Sequence, residues 1–224
     1  MKRPKVIFLD AVGTLIGVRG TVGEVYCDIA KVYGVQADPI AVNEAFYDSF
    51  KAASTMAFPG IDEDEIEERE FGWWWAIAAQ TFQRAGVLDQ FDNFAGFFAS
   101  LYAHFATADP WFIYADVRWA LEHWQSQGIE LGIISNFDSR LHRVLPALKL
   151  DGFFSSVTLS THVGAAKPDA RIFELALAKH DCSPDEAWHI GDSFRQDYEG
   201  ARAAGLRGVW LRRSEVESEQ PIPA

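Results

Sequence analysis

The sequence predicts an α/β protein in which a mostly parallel sheet is interrupted, after its first strand, by a long block of helices. The first strand is indicated by the apolar run Val6–Leu9, which precedes a Gly-Thr break and has the composition of a strand buried on both faces. The second observation is the alternation of apolar strands with helical patterns from Asp109 onward. Such alternation is typical of parallel strands joined by right-handed crossovers.

Residues 17–108 show helical periodicity without the alternation that is typical of strands. Helices are predicted over residues 23–33, 39–56, 73–82 and 91–105, and Gly34 ends the first of them. The block holds 14 acidic and 5 basic residues, so it carries −9 of the chain's net charge of −12. We therefore expect an acidic, all-helical module.

Three consecutive tryptophans, Trp73, Trp74 and Trp75, lie in this block. They cannot form one ligand-binding face, because successive residues of a helix point about 100° apart. We expect them to pack within the helical block and between it and the sheet.

After residue 109 the elements alternate regularly. Helices are predicted over 117–127, 141–148, 171–179 and 201–204, and strands over 129–134, 155–159, 186–190 and 208–211. The tail from Ser214 is polar and contains two prolines, so we expect it to fray.

Composition limits the classes of function. The length of 224 residues and the hydrophobic share of 49% suit one large domain or a domain with an insert. A net charge of −12 argues against nucleic-acid and anionic-membrane partners. Cys27 and Cys182 are too few for a disulfide framework, so we expect them to be reduced and buried. Without a signal peptide or an apolar run of about 18 residues, a cytoplasmic protein is expected.

Polar residues lie where the predicted strands end. Asp10 follows the first strand, and Asp192 follows a later one. Ser135 and Asn136 end the second strand, and Lys167 lies in a loop after another. Because open α/β sheets place their reactive sites outside the carboxyl ends of the strands, we expect these side chains to lie together.

Two of these groups suit a metal ion. Asp10 and Asp192 form a hard oxygen site of the kind that Mg²⁺ prefers, since this ion takes few protein ligands and keeps several waters. We expect Asp197 to support the site by holding a metal-bound water. The sequence therefore predicts a magnesium site.

The remaining groups suit a phosphoryl group. Lys167 supplies a positive charge, and Ser135 and Asn136 lie at a helix N-terminus, where backbone N–H groups favour an anion. The set fits attack by the Asp10 carboxylate on phosphorus, which gives a covalent aspartyl intermediate.

These segments, in this order and spacing, resemble the four motifs of the haloacid dehalogenase superfamily over nearly the whole chain. The motifs are residues 10–14, Ser135 with Asn136, Lys167 with Pro168, and Gly191 with Asp192 and Asp197. The branch called haloacid dehalogenase-like hydrolase domain-containing protein 3 is also similar at residues 134–138, at residues 167–169 with 171–173, and at residues 191–192 with 197–198. The resemblance implies a Rossmann-like core over 1–16 and 109–214, with a helical cap inserted over 17–108.

The resemblance also implies roles for individual residues. Asp10 is the expected nucleophile, and the backbone carbonyl of Val12 joins Asp192 in contacting the metal. Ser135 and Lys167 are the expected phosphoryl binders.

Val12 departs from the pattern of phosphatases in this superfamily, which carry a second Asp at that position to protonate the leaving oxygen. General acid–base catalysis is typically worth about 10²–10⁴-fold, so we expect slow turnover or a need for good leaving groups.

The sequence thus favours a Mg²⁺-dependent phosphohydrolase or phosphotransferase acting on a small metabolite, and leaves three alternatives open. A 2-haloacid dehalogenase also lacks the second Asp, although such enzymes do not usually keep the Gly-Asp of the fourth motif. A catalytically weakened phospholigand-binding protein would fit Val12 and the acidic, aromatic cap. Carbon–phosphorus cleavage would use a cap lysine, for which Lys51 is the candidate. No motif specifies the substrate or the oligomeric state.

Overall fold

The computed structural model describes residues 3–213, so the predicted fraying from Ser214 lies outside the described residues. In chain order the main elements are β1 (Val6–Leu9), β2 (Ile16–Val18), α1 (Val22–Val32), α2 (Pro39–Ala52), α3 (Ile66–Arg84), α4 (Phe94–His104), β3 (Trp111–Ile113), α5 (Val117–Ser126), β4 (Glu130–Ser135), α6 (Leu141–Ala147), β5 (Ser156–Leu159), α7 (Ser160–Val163), α8 (Ala170–Ala178), β6 (Ala187–Gly191), a π-helical turn (Phe194–Glu199), α9 (Gly200–Ala203) and β7 (Arg207–Trp210).

A five-stranded sheet forms the core, with the order β5-β4-β1-β6-β7 and parallel pairing throughout. The central strand β1 pairs with β4 and β6, so that Leu9 lies beside both Ile133 and Ile190. Parallel pairing brings the carboxyl ends of β1, β4 and β6 to one edge. The predicted α/β fold with a Rossmann-like core is confirmed.

The apolar run of β1 is continuous because helices cover both faces of the sheet. Val6 and Phe8 pack into one buried cluster, which includes Phe173 of α8. Ile7 and Leu9 point to the opposite face and join the larger cluster that continues into the cap. The sheet core and the cap therefore share apolar packing on that face.

Between β2 and β3, the regular elements among the described residues are all helical, as predicted. The third of these helices, α3, begins at Ile66, seven residues before the predicted start at residue 73. The later part of the acidic run before the tryptophans is therefore α-helical. Glu67 and Glu68 occupy the first turn of α3, where a negative charge interacts favourably with the helix dipole.

The consecutive tryptophans of α3 have different hydrogen-bond partners, although the rings of Trp73 and Trp74 also pack against each other with their centroids 4.9 Å apart. Trp73 Nε1 donates to the backbone oxygen of Ser54 at 2.9 Å, inside the cap. Trp75 packs against aromatic rings of α4. Trp74 Nε1 instead donates to Asp138 Oδ2 at 2.7 Å, and this carboxylate belongs to the core.

An antiparallel ribbon of β2 and β3, which the sequence did not predict, connects core and cap, with Ile16 paired to Ile113. Each strand has three residues, too few for a recognisable alternation. The division into core (1–16 and 109–214) and cap (17–108) stays a prediction, since β2 crosses its first boundary.

Two expectations from composition can be compared with the structure. Both cysteines are free thiols, and Cys27 is buried as expected. Cys182 is only half-buried, because it lies in the surface connection between α8 and β6. Within residues 3–213, no helix combines the length and the apolar character needed to span a bilayer.

Phe82 is fully buried at the centre of the cap and contacts the rings of Tyr26, Phe91 and Phe97. We expect Phe82→Ala to lower the free energy of unfolding by about 3–5 kcal/mol, because it leaves a cavity among these rings. Equilibrium urea unfolding measures this. Val32→Ala is the control, since Val32 is 81% exposed and its truncation should change stability by no more than about 0.5 kcal/mol. Equal losses of unfolding free energy in both variants would contradict the placement of Phe82 at the buried centre of the cap.

Candidate active site

Asp10 continues the direction of β1 past the last paired residue. Its backbone N–H donates to the oxygen of Ile190 at 2.9 Å, which fixes the backbone beside β6. The side chain is buried, and Oδ1 accepts from Ser135 Oγ at 3.0 Å and from Lys167 Nζ at 2.6 Å. The predicted nucleophile and the two predicted phosphoryl binders are therefore in direct contact.

Lys167 lies between two carboxylates. Its Nζ is 2.6 Å from Asp10 Oδ1 and 2.6 Å from Asp197 Oδ1, and the residue is only 3% exposed. Asp197 Oδ2 accepts from the backbone N–H of Ser193 at 2.9 Å. The π-helical turn that carries Asp197 thus presents this carboxylate to the lysine.

Asn136 holds the backbone of Lys167. Its Nδ2 donates to the lysine's backbone oxygen at 2.9 Å, and its Oδ1 accepts from the lysine's backbone N–H at 2.8 Å. This reciprocal pair fixes the loop from which the lysine side chain projects. A direct contact of Asn136 with substrate stays a prediction, whereas its role in positioning Lys167 is visible in these bonds.

The third predicted carboxylate completes a cluster. Asp10, Asp192 and Asp197 each have an oxygen within 4.8 Å of the others. Asp192 lies against Gly13, whose backbone has a φ of +88°. A Cβ at Gly13 would come within 2.5 Å of Asp192 Oδ2, so only glycine allows this approach.

Burial raises the pKa of Asp10, although the charge of Lys167 opposes this. The carboxylate of Asp192 is partly enclosed by the site, and this enclosure, followed by the charges of Asp10 and Asp197, raises its pKa to about 6. Burial would lower the pKa of Lys167, but the two adjacent carboxylates outweigh it and hold that pKa above its usual value.

The pKa of Asp197 is shifted in the opposite direction to that of Asp10. Burial alone would raise its pKa, but the charge of Lys167 and the hydrogen bond from His189 outweigh burial and lower it. Asp10 and Asp197 thus flank one cationic side chain, and the exposed Asp192 adds a third carboxylate to the cluster. The cluster carries excess negative charge that a bound cation would neutralise.

The donor set fits Mg²⁺, because it consists of carboxylate oxygens with a net negative charge. Asp10 and Asp192 are the groups best suited to hold the ion, beside the half-buried Val12 whose carbonyl is the other predicted contact. Both oxygens of Asp197 already accept hydrogen bonds. This agrees with the expected supporting role of Asp197 rather than direct ligation.

His189 is a site residue that the sequence analysis missed. It is fully buried in β6, and its Nε2 lies 2.8 Å from Asp197 Oδ1. Burial lowers its pKa. Because a carboxylate oxygen accepts hydrogen bonds, Nε2 is the donor in this contact. The available signal was a histidine within an apolar strand, two residues before Gly191, which a buried structural histidine would also produce.

Fold and site together define a capped α/β enzyme with a buried aspartate at the end of its central strand. The family model of the haloacid dehalogenase-like hydrolases matches residues 4–205, and the chain belongs to this family of hydrolases. A mouse relative, haloacid dehalogenase-like hydrolase domain-containing protein 3, is 34% identical over 207 residues, which cover 92% of this chain and 81% of the relative. The predicted resemblance to that branch is confirmed.

Solved structures of two kinds share the fold. A phosphatase of this superfamily from Thermococcus onnurineus has a TM-score of 0.61 at 22% identity, covering 96% of this chain and 89% of its own. A dehalogenase solved with an intermediate complex has a TM-score of 0.69 at 18% identity, covering 99% and 89%. The fold therefore does not choose between the two chemistries.

We expect Gly13→Ala to weaken Mg²⁺ binding at least about tenfold, because the new Cβ would displace the Asp192 carboxylate. Isothermal titration with MgCl₂ measures the dissociation constant. Gly34→Ala is a matched control, since Gly34 has a similar φ of +81° but no atom within 4 Å of the position that a Cβ would take. Unchanged affinity in Gly13→Ala would exclude Asp192 as a ligand.

Proposed function

We propose that this protein is a Mg²⁺-dependent phosphohydrolase or phosphotransferase that acts on a small phosphorylated metabolite through an aspartyl intermediate at Asp10. The observation that carries the proposal is the buried Asp10 carboxylate, oriented by Ser135 and Lys167 beside two further carboxylates. A phosphate ester brings more negative charge into this cluster and requires a cation there. Displacement of a halide has no such requirement.

The chain's own groups account for most of the steps. Among residues 3–213, the hydrogen bonds to the side chain of Asp10 are accepted by Oδ1. Oδ2 is therefore the carboxylate oxygen available for attack on phosphorus. As the P–O bond to the leaving group breaks, the leaving oxygen takes the electron pair and a proton from water. A second water then attacks phosphorus, which releases inorganic phosphate and restores the Asp10 carboxylate.

Lys167 and Ser135 keep the nucleophile in one orientation, and Lys167 adds positive charge close to the reacting phosphoryl group. When bound by Asp10 and Asp192, Mg²⁺ supplies further positive charge that offsets the charge on the phosphoryl oxygens. Asp197, which is itself bonded to His189, accepts from the lysine on the other side, so that the ammonium group stays directed at the site.

The acidic cap supports a small substrate over a polyanionic one, because the cap region carries −9 of the net charge. The expectations of no nucleic-acid partner, no membrane surface and a cytoplasmic location belong to this proposal on the same compositional grounds. Lys51 is exposed in the last turn of α2, as expected for a solvated lysine. Carbon–phosphorus cleavage therefore has no further support.

The direct test compares Asp10→Asn with wild type in phosphate release from aryl and acyl phosphates, with Mg²⁺ or with EDTA. We expect wild-type turnover only with Mg²⁺, and a fall of at least about 10³-fold in the variant, because an amide is not a nucleophile. Asp28→Asn is the control, since Asp28 is exposed on α1.

Other outcomes would support the alternatives. Halide release from 2-haloacids that survives EDTA would identify a dehalogenase, which Val12 favours. Tight binding of phosphorylated ligands without turnover would identify a binding protein. Equal phosphate release by wild type and Asp10→Asn would rule out the proposed intermediate.

Val12 also gives a gain-of-function test. We expect Val12→Asp to raise turnover of alkyl phosphates at least about tenfold, because a carboxyl group there can protonate a poor leaving group. Turnover of aryl and acyl phosphates should change little, because their leaving groups depart without a proton. Val12→Asn has a similar shape without the acid and should show no gain, as measured by kcat for each substrate. A similar rise in kcat for alkyl phosphates in both variants would mean that proton donation by residue 12 does not cause the faster turnover.

A further inference from the structure

The segment between β4 and α6 joins the candidate active site to the cap. Residues 136–140 lie outside β4 and α6. The backbone oxygens of Asp138, Ser139 and Arg140 accept from the first N–H groups of α6, and side-chain contacts add to these bonds. At the start of the segment, Ser135 donates to Asp10 and Asn136 holds the backbone of Lys167. What holds its other end therefore affects the site.

The other end is held by the cap helix α3. Trp74 Nε1 donates to Asp138 Oδ2 at 2.7 Å, and the Asp138 side chain is fully buried. Glu70 Oε1 accepts from both the backbone N–H and the Oγ of Ser139, each at 3.0 Å. Glu70 and Trp74 are four residues apart, so both lie on the same face of α3.

Arg140 reinforces this junction from the core side. Its guanidinium group pairs with Asp138 at 2.6 Å and lies 4.0 Å from the ring centroid of Tyr102 in α4. The Asp138 carboxylate thus keeps its cationic partner when Trp74 is changed. The Arg140 guanidinium also lies 5.1 Å from the centroid of the Trp74 ring. Trp74→Phe therefore keeps an aromatic ring beside Arg140, removes the indole N–H bond to Asp138, and leaves no unpaired buried charge.

We propose that Glu70 and Trp74 are positioning residues, which act through Ser139 and Asp138 to set the placement of Ser135 and Asn136 in the active site. The cap then contributes to catalysis by fixing the groups that orient Asp10 and Lys167, in addition to covering the site. The kinetic consequence rests on the proposed phosphohydrolase function, whereas the structural coupling does not.

The chain supplies a matched pair of variants. Trp74→Phe and Trp73→Phe make the same change at adjacent positions of α3, but only Trp74 donates to the core, since Trp73 donates to Ser54 inside the cap. We expect Trp74→Phe to lower kcat about tenfold with KM within about twofold, because small displacements of catalytic groups are costly. The Trp73 ring packs against Trp74 at a centroid distance of 4.9 Å, and Trp73→Phe keeps an aromatic ring there. This control should therefore leave both parameters within about twofold of wild type.

Glu70 allows a rescue experiment. Glu70→Ala removes the acceptor for Ser139, whereas Glu70→Gln keeps an oxygen in the same place. We expect a loss of kcat in Glu70→Ala that Glu70→Gln largely restores. A loss of equal size in both variants would overturn the positioning role of Glu70.

Nuclear magnetic resonance separates this proposal from the proposed function. In ¹H–¹⁵N spectra we expect the Asn136 side-chain amide and the Ser135 backbone amide to shift in Trp74→Phe and to stay in place in Trp73→Phe. If wild type lacks phosphatase activity, the proposed function fails and the spectra alone decide the coupling. Identical Ser135 and Asn136 resonances in both tryptophan variants, with kcat equal where turnover exists, would overturn the inference.

Discussion

The ion pair between Lys167 and the carboxylates of Asp10 and Asp197 is the interaction on which the site depends. Burying any one of these charges without a partner would cost several kcal/mol. The ammonium group of Lys167 lies 2.6 Å from a carboxylate oxygen of Asp10 and 2.6 Å from one of Asp197, so each buried charge has an opposite charge beside it. The three residues come from the end of β1, the loop before α8 and the π-helical turn. Their pairing ties these parts of the core together before any ligand is bound.

Around this pair, each supporting residue has a separate task. Ser135 orients the nucleophile, Asn136 fixes the backbone of the lysine, and His189 supports Asp197 from within the sheet. Gly13 allows the Asp192 carboxylate to approach the loop after β1. The groups that the proposed function uses to hold a phosphoryl group and a cation therefore lie together, at a site where Val12 is not a proton donor. Binding and orientation on one hand, and acid–base catalysis on the other, depend on different residues here.

The cap combines two kinds of surface. Its acidic charge is mostly exposed, whereas its polar contacts with the core include the buried Glu70 and the indole N–H of Trp74. Both contacts meet the segment that begins at Ser135. These side-chain contacts, together with the backbone hydrogen bonds to α6, join the cap to the segment that follows Ser135.

The sequence by itself determined the parallel sheet, the helical insert and the rim on which Asp10, Ser135 and Asp192 meet. Each follows from a local pattern, because parallel pairing brings the carboxyl ends of successive strands to one edge. The tertiary structure decided the rest, including the short β2–β3 ribbon, the bond of Trp74 to Asp138 and the position of His189 beneath Asp197. Asp10 and Lys167 are 157 residues apart in the chain. The partners of such side chains depend on how whole elements pack, which no local sequence pattern records.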